Sequence, residues 1–355
     1  MHMSETQEVI FEVAGPVGHI RLNKPETLNS LTPAMCAAMH ETLEAWAADD
    51  RIRVVVVTGE GERAFCAGGD VRRVCEVGRE DPVRAREFFA VEYAMDAAIM
   101  KFPKPYVSLI DGIVMGGGLG ISVNGRFRVV SEHIMAAMPE TGIGLLPDVG
   151  ATAFLNACPG RIGLYLGLTG ARLDAADALH ARLATHFVPR ARQRAVFDGL
   201  VGAKYLGDDY VTVAGIIGRY AGDPGNSRLM AQQRDIDRLF ASDRVEDIAA
   251  ALAKDGSEFG RNCREALARM SPTSLKITAK QITANAGISP VEALSLEYRM
   301  VCHVLERHDF YEGIRAALID KDRNPAWKPD TLDGVSDAEV DAHFVPLGEA
   351  ERLFG

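Results

Sequence analysis

Residues 105–120, PYVSLIDGIVMGGGLG, carry the clearest indication of the fold. This stretch starts as an apolar run of strand length, and three glycines, Gly116 to Gly118, then lead into the apparent helix LGISVNG. Glycines here leave backbone amides bare at the positive end of a helix, where negative charge is stabilised. A dinucleotide fingerprint has a different spacing, because GxGxxG opens the first βα unit and is followed by an acidic partner. Close packing of helix on strand is the alternative explanation of these glycines.

A second glycine turn, AFCAGGD at 64–70, follows the apolar run RVVVVTG at 53–59. Its two adjacent glycines allow a sharp turn with uncovered amides, although a plain turn would use them equally well. Two such turns at the ends of neighbouring strands can direct two N–H donors at one developing oxyanion, which acyl chemistry requires.

The surrounding pattern predicts an α/β protein. Residues 8–22 indicate two short strands, and Thr32 followed by Pro33 is typical of a helix start. The apolar runs before both glycine turns, together with RFRVVS at 126–131, alternate with helical stretches. This alternation predicts βαβ units with right-handed crossovers.

The pattern changes after about residue 160, where helices dominate as far as Ala317. We therefore predict a strand-rich core over residues 1–190 and a helical region over residues 191–355, which fits the usual size of domains.

Composition excludes several classes of function. Of the 355 residues 47% are apolar and 25% are charged, and the formal net charge is −10. This balance is typical of a globular protein. The acidic surface argues against non-specific binding to nucleic acid and against attraction to anionic lipid.

The six cysteines are scattered without a CxxC pair or a nearby group of histidines, so neither a disulfide framework nor a metal site is predicted. The sequence MHMSETQEVIFEV has no basic region before an apolar run, and no stretch approaches the roughly 18 apolar residues of a membrane helix. These observations predict a cytoplasmic protein that has no membrane partner.

A third segment, MPETGIGLLPDVGAT at 138–152, carries Glu140 and Asp148 among apolar neighbours. Apolar surroundings raise the pKa of carboxyl groups towards general acid or base duty. Asp148 could instead cap a helix formed by VGATAFLNA, and Glu140 could be a loop carboxylate that faces water.

These three segments in this order, within residues 8–190, resemble the crotonase (enoyl-CoA hydratase/isomerase) superfamily. The resemblance implies a spiral of ββα turns followed by helices, and an oxyanion hole for a thioester carbonyl. At the matching positions the two oxyanion donors are the amides of Gly69 and Gly117.

The resemblance also implies an acyl-CoA substrate, with coenzyme A arriving as part of that substrate and no separate cofactor. The backbone around Ala67, Asp70 and Val71 is expected to hold the adenine end, and Lys24 to lie near the pantetheine and phosphates. The full set of expected substrate contacts is Lys24, Ala67, Gly68, Asp70, Val71, Gly116 and Glu92.

One departure from the hydratases of this superfamily is informative. They use two glutamates, one shortly after the GGG turn and one in the later PE segment. Here the later one is Glu140, but the earlier position is Gly120, and Asp148 stands eight residues beyond Glu140. Hydration of a double bond requires a group that positions water and another that delivers a proton, so a missing acid disfavours it.

Within the superfamily the resemblance is closest to the 3-hydroxyisobutyryl-CoA hydrolases of valine breakdown. It extends nearly to the end of the chain, through LTGARLDAADALHARLATHFV, SPTSLKIT, EYRM, EGIRAALIDKDRNPAWKP and HFVPLG. The implied reaction is hydrolysis of the thioester of a short β-hydroxyacyl-CoA.

In that reaction Glu140 would attack the thioester or activate water, and Asp148 would bind the β-hydroxyl or assist proton transfer. Glu92 is a further candidate in the site. Two alternatives stay open: an enoyl-CoA hydratase or isomerase, and a crotonase-like module that binds acyl-CoA without turnover. The superfamily makes a homotrimer plausible.

Overall fold

The structure is a computed structural model that describes residues 7–354. Nine strands occur in this part of the chain: β1 Val9–Ala14, β2 Val17–Leu22, β3 Val54–Gly59, β4 Ala64–Cys66, β5 Tyr106–Ile110, β6 Ile113–Met115, β7 Phe127–Val130, β8 Met135–Ala137 and β9 His186–Phe187. They form a six-stranded sheet in the order β1-β2-β3-β5-β7-β9 and a three-stranded sheet in the order β4-β6-β8.

The helices of the amino-terminal half are α1 Pro33–Ala48, α2 Val71–Glu80, α3 Pro82–Met100, α4 Gly117–Val123, α5 Ala151–Asn156, α6 Ile162–Thr169 and α7 Ala175–His180. Those that follow are α8 Arg190–Val201, α9 Asp209–Tyr220, α10 Arg228–Leu239, α11 Val245–Lys254, α12 Glu258–Leu267, α13 Pro272–Thr283, α14 Pro290–Val304, α15 His308–Ile314 and α16 Asp337–Ala342. Between residues 188 and 354 the chain contains no strand, in agreement with the predicted helical region.

The strands and helices repeat as ββα turns. In the turns that begin with β3, β5 and β7, the first strand joins the large sheet and the second joins the small sheet. The first strands of successive turns pair in parallel, so the predicted parallel arrangement is confirmed. β1 and β2 pair antiparallel, because only two residues connect them.

Strands β1, β2, β3, β5 and β7 form where the sequence predicts them. The first four residues of β3, all valine, are buried, as expected of a strand covered on both faces. Thr32 caps α1 as predicted: its hydroxyl accepts a hydrogen bond from the Met35 amide at 3.3 Å, and Pro33 takes the first helical position.

One hydrophobic cluster holds the large sheet against α8 and α9. Its buried members include Val54 and Val56 of β3, Val107 of β5, and Leu200 and Ile217 of the two helices. The segment after residue 190 therefore begins by covering the sheet, where burial of apolar side chains stabilises the fold.

The described residues group into two compact units. The first contains the segments up to Gly69, Ala94–Ala136 and Arg172–Met230, and the second contains Asp70–Tyr93, Ala137–Ala171 and the chain from Ala231 onward. Each unit is thus assembled from three segments, whereas the sequence predicts a single division at residue 190. That division into domains stays a prediction. None of the helices within residues 7–354 has both the length and the apolar content needed to cross a bilayer.

Candidate active site

The two glycine turns lie next to each other in the first unit. Gly68 has a φ of +106°, which favours glycine, and a Cβ added to it would lie 3.0 Å from the Met115 carbonyl oxygen and 3.5 Å from the Gly117 nitrogen. The AGG and GGG segments therefore touch through their backbones, as both turns require. A side chain at Gly68 would separate them.

The amides of Gly69 and Gly117 are available as donors. Gly117 is the first residue of α4, where an amide hydrogen has no acceptor within the helix. Within residues 7–354 the Gly69 amide donates to no backbone carbonyl, although Gly69 forms an isolated bridge with Leu31. Neither predicted oxyanion donor is thus engaged by a backbone acceptor in the described part of the chain, and the role itself stays a prediction.

The residues expected to hold coenzyme A occupy loops and helix starts. The Ala67 amide donates a hydrogen bond to the Leu28 carbonyl at 2.9 Å. Gly116 is the N-cap of α4 and has a positive φ. Asp70 caps α2, accepting a hydrogen bond from the Arg73 amide at 3.2 Å, and Val71 is the first residue of that helix.

The side chain of Lys24 is mostly buried, and its Nζ lies 3.5 Å from Oε1 of Glu8. This ion pair keeps the ammonium group at the start of a short 3₁₀ helix, Pro25–Thr27. Contact of Lys24 with the phosphates of coenzyme A stays a prediction.

The acidic side chains of the candidate site are all buried in the second unit. Glu92 on α3 is 2% exposed, and Glu140 and Asp148 are each 4% exposed. Glu140 begins the 3₁₀ helix Glu140–Ile143, so the alternative of a loop carboxylate in water is wrong. In the described part of the chain neither Oε1 of Glu92 nor Oε2 of Glu140 has a hydrogen-bond partner. Buried carboxylates without partners are rare away from functional sites.

Burial raises the pKa of all three groups, and the charge of Asp148 adds to the shift of both glutamates. Burial, followed by the charge of Asp148, raises the pKa of Glu140 well above its ordinary value. The same two causes raise the pKa of Glu92. Burial raises the pKa of Asp148 to about 6, although a hydrogen bond from Tyr93 opposes the shift. The apolar surroundings thus have the predicted effect, and the shifts are those expected of acid–base groups.

Tyr93 was not singled out in the sequence. Its hydroxyl donates a hydrogen bond of 2.6 Å to Oδ2 of Asp148, and its ring is fully buried. The sequence indicates a role for Tyr93 only weakly, through its position directly after Glu92 on α3.

Asp148 does not cap the helix that follows it. α5 begins at Ala151, and its N-cap is Gly150, which has no side chain to offer. The acceptor for the first amides of α5 is instead Glu297 of α14. Capping is therefore the wrong explanation for Asp148. Glu297 was not predicted; the available signal was a glutamate in the otherwise apolar stripe of Ala293 and Val301.

The six scattered cysteines form neither a disulfide nor a metal site in the part of the chain that the structure describes. All six cysteines are buried and unpaired with one another. Within the described residues no group of three or more histidine, cysteine or acidic side chains could hold a metal ion.

Comparison with known proteins decides the family. The sequence matches the enoyl-CoA hydratase/isomerase family over residues 17–344. The chain belongs to this family. The resemblance predicted from the three segments is therefore confirmed.

Two vertebrate relatives match nearly all of this family member. The protein of Danio rerio named 3-hydroxyisobutyryl-CoA hydrolase, mitochondrial, is 44% identical over 349 residues, which cover 97% of this chain and 91% of the relative. The Homo sapiens protein of the same name is 39% identical, with 99% and 92% coverage.

Two solved structures share the fold over almost the whole chain. A carnitinyl-CoA dehydratase from Mycobacterium thermoresistibile matches with a TM-score of 0.92 and 39% identity, covering 98% of this chain and 99% of that one. An enoyl-CoA hydratase from Rhodobacter sphaeroides matches with a TM-score of 0.89 and 39% identity, covering 96% and 98%. These neighbours confirm the predicted fold, a crotonase-like ββα spiral with a helical carboxy-terminal extension.

Proposed function

We propose that the chain hydrolyses the thioester of 3-hydroxyisobutyryl-CoA, or of a closely related short β-hydroxyacyl-CoA, to the free acid and coenzyme A. The observation that carries this proposal is the buried pair of Glu140 and Asp148, combined with glycine at position 120. The vertebrate relatives named as 3-hydroxyisobutyryl-CoA hydrolases, each covered over nearly its whole length, support it.

In the proposed reaction the Gly69 and Gly117 amides stabilise the oxyanion that forms when the thioester carbonyl is attacked. Removing one such donor costs about 3 kcal/mol of transition-state stabilisation in enzymes of this kind of chemistry. The position of Gly117 at the start of α4 supports the role, because the helix dipole adds positive potential at the same amide.

Glu140 acts in its ionised form by one of two routes. As a general base it takes a proton from water, whose oxygen then forms the new bond to the acyl carbon while the carbon–sulfur bond breaks. As a nucleophile it forms a mixed anhydride that water then cleaves. In the first route the proton that Glu140 takes from water passes to the departing thiolate of coenzyme A. In the second the carbon–sulfur bond breaks as the anhydride forms, and the water that cleaves the anhydride supplies the proton for the thiolate. The raised pKa of Glu140 makes its carboxylate a stronger base.

Asp148 binds the β-hydroxyl of the acyl group, or assists the proton transfers. Its carboxylate is buried and already accepts a hydrogen bond from Tyr93. An acyl group without a hydroxyl would leave that carboxylate short of a partner, which is a larger penalty than the loss of a methyl group. Glu92 is proposed as a further group in contact with the substrate.

An enoyl-CoA hydratase or isomerase is the second candidate, and the names of the two solved neighbours favour it. Gly120 argues against it, because α4 offers no acid at the position where the hydratases of this family carry one. A binding module without turnover is the third candidate, and the retained carboxylates disfavour it.

The cellular setting is also a proposal. We place the enzyme in valine breakdown and in the cytoplasm, whereas the vertebrate relatives are named as mitochondrial. The partner is an acyl-CoA substrate, and the proposed assembly is a homo-oligomer, for which the superfamily makes a trimer plausible.

The test compares thiol release from 3-hydroxyisobutyryl-CoA and from isobutyryl-CoA, which differ only in the hydroxyl. We expect the native protein to prefer the hydroxylated substrate strongly, and Asp148→Asn to lose most of that preference. Glu140→Gln is expected to lower kcat by about 10²- to 10⁴-fold on both substrates. Glu41→Gln, at an exposed position on α1, is the control. Equal turnover of both substrates by the native protein would contradict the assignment of Asp148.

A further inference from the structure

The turn that carries Asp148 has an unfavourable backbone. Val149 has a φ of +55° and Gly150 a φ of +93°, both in the left-handed region. A β-branched residue rarely adopts this conformation, and it persists only where the surrounding structure fixes it. Some other part of the chain must therefore hold residues 147–150 in place.

Glu297 of α14 supplies that hold. Its Oε2 accepts a hydrogen bond from the Gly150 amide at 2.7 Å, and its Oε1 accepts from the Thr152 amide and the Thr152 hydroxyl, each at 2.7 Å. Glu297 is fully buried, so these three bonds form where water cannot replace them.

A second side chain completes the arrangement. Nε2 of Gln281, on α13, donates to the Pro147 carbonyl at 2.7 Å and to the Thr152 hydroxyl at 2.8 Å. The Thr152 hydroxyl therefore accepts from Gln281 while it donates to Glu297. The residues on both sides of Asp148 are thus fixed from helices that lie far along the chain.

We propose that Glu297 is a positioning residue for the reaction: it caps α5 in place of Asp148 and holds the strained turn, so that the Asp148 carboxylate is presented to the substrate. Glu297 binds the amides of Gly150 and Thr152, so the Asp148 side chain is not needed as a helix cap. Tyr93 donates a hydrogen bond to Oδ2 of Asp148 and fixes that oxygen. This inference rests on the proposed function, in which Asp148 meets the β-hydroxyl.

The three hydrogen bonds require a side chain with two accepting oxygens at position 297. Both of its oxygens accept hydrogen bonds, and a glutamine would have to present its NH₂ group to an N–H donor on one side. Glu297→Gln is therefore nearly equal in shape but cannot make all three bonds. Thr152→Val removes the shared hydroxyl at constant shape, and Thr152→Ser retains it.

Asp177 offers a matched control. It is a buried carboxylate that accepts a hydrogen bond from the Leu229 amide at 2.8 Å and another from the Ser227 hydroxyl at 2.8 Å, at the start of α10. Asp177→Asn should destabilise the protein in the way that loss of any buried cap does, without acting on the turn at 147–150.

The experiment measures kcat/KM for 3-hydroxyisobutyryl-CoA and for isobutyryl-CoA in all four variants, together with thermal stability. We expect Glu297→Gln and Thr152→Val to lower kcat/KM for the hydroxylated substrate by about tenfold to a hundredfold, and to reduce the preference for it. Thr152→Ser, which keeps the hydroxyl, is expected to retain native kcat/KM for the hydroxylated substrate and the native preference for it. Equal loss of preference in Asp177→Asn, or native preference in Glu297→Gln, would overturn the proposal.

A crystal structure of Glu297→Gln separates this inference from the proposed function. If Glu297 holds the turn, the distance from Tyr93 Oη to Asp148 Oδ2, which is 2.6 Å in the native chain, will open beyond hydrogen-bond range. An unchanged distance would overturn the positioning role even in a protein that hydrolyses the thioester. A protein that releases no thiol would refute the proposed function, while the opened distance would still support Glu297 as the residue that fixes the turn.

Discussion

At the scale of single residues, the candidate site contains three buried carboxyl groups. Glu92, Glu140 and Asp148 each lose hydration, and the charge of Asp148 acts on both glutamates. Like charges in a dry cluster cannot all ionise together, so the groups titrate as a coupled set. The reactive protonation state therefore depends on all three.

This coupling predicts a specific pH dependence. The proposed reaction requires ionised Glu140, so activity should fall as the pH drops through the pKa of Glu140. The negative charge of Asp148 raises that pKa. In Asp148→Asn the charge is gone, so the pKa of Glu140 falls and the acidic limb of kcat/KM moves to lower pH. The pH profile of the residual thiol release measures this, and a limb that stays in place or moves to higher pH would contradict it.

The raised pKa of Glu92 predicts that Glu92→Gln will stabilise the protein. Because its folded-state pKa is raised, the folded protein keeps a proton that the unfolded chain loses above about pH 4.3, and stability falls as the pH rises towards the folded-state pKa. Glu92→Gln removes this linkage. We expect its free energy of unfolding to exceed that of the native protein by an amount that grows by about 1.4 kcal/mol per pH unit in that range.

Urea unfolding at several pH values measures the effect. Glu87→Gln, at an exposed position on the same helix, is the control and should change stability little at any pH. A Glu92→Gln protein that is less stable than the native one at neutral pH would show that the carboxyl group is stabilised by the fold.

The same residues show what the sequence can predict at this scale. The apolar neighbours Leu145 and Leu146 indicated a raised pKa for the acids beside them, and they are buried as required. The choice between chemistry and capping for Asp148 could not be made, because the competing acceptor, Glu297, stands 147 residues beyond Gly150. Local sequence propensities cannot predict a contact between residues so far apart in the chain.

At the scale of secondary-structure elements, the GGG turn depends on close packing of helix on strand. A Cβ added to Gly118 of α4 would lie 2.2 Å from the carbonyl oxygen of Cys66 in β4. The alternative explanation of these glycines, close packing, is thus correct for Gly118, while the bare amide belongs to Gly117. Both explanations hold, at adjacent residues.

Gly118→Ala is therefore expected to destabilise the protein, because backbone must move to admit the methyl group. We expect a loss of about 2 kcal/mol or more, together with loss of thiol release as the Gly117 amide shifts. Gly215→Ala is the control: no atom lies within 4 Å of a Cβ at this position in α9, and the substitution should stabilise the helix by about 1 kcal/mol. Thermal unfolding of both variants checks this, and a stable, active Gly118→Ala protein would contradict it.

Most elements of the spiral were predictable because their signals are local. The valine run of β3 and the Thr32-Pro33 start of α1 are examples. The short strands β4 and β6 were not predicted as strands, because three residues are too few to show a period. Their pairing comes from the turns that the glycines allow.

At the scale of the whole molecule, the helical region supports the candidate catalytic turn directly. α13 and α14 supply Gln281 and Glu297, which bind the backbone on both sides of Asp148. Helices α13 and α14, which belong to the second unit, therefore support the candidate site in that unit. The sequence predicted the helical region and the family of the chain. The contacts of Gln281 and Glu297 could be identified only from the tertiary structure.

The family alone does not decide the reaction, since relatives named as hydrolases and neighbours named as a dehydratase and a hydratase all cover almost the entire chain. The side chains distinguish the reactions: Gly120 disfavours hydration, and the Glu140–Asp148 pair favours hydrolysis.

The most direct test follows free thiol from 3-hydroxyisobutyryl-CoA and the hydration of crotonyl-CoA on the same purified protein, with Glu140→Gln measured alongside. We predict rapid thiol release that Glu140→Gln abolishes, with negligible hydration. Fast hydration without thiol release would contradict the account, and would mean that another group replaces the acid absent at Gly120.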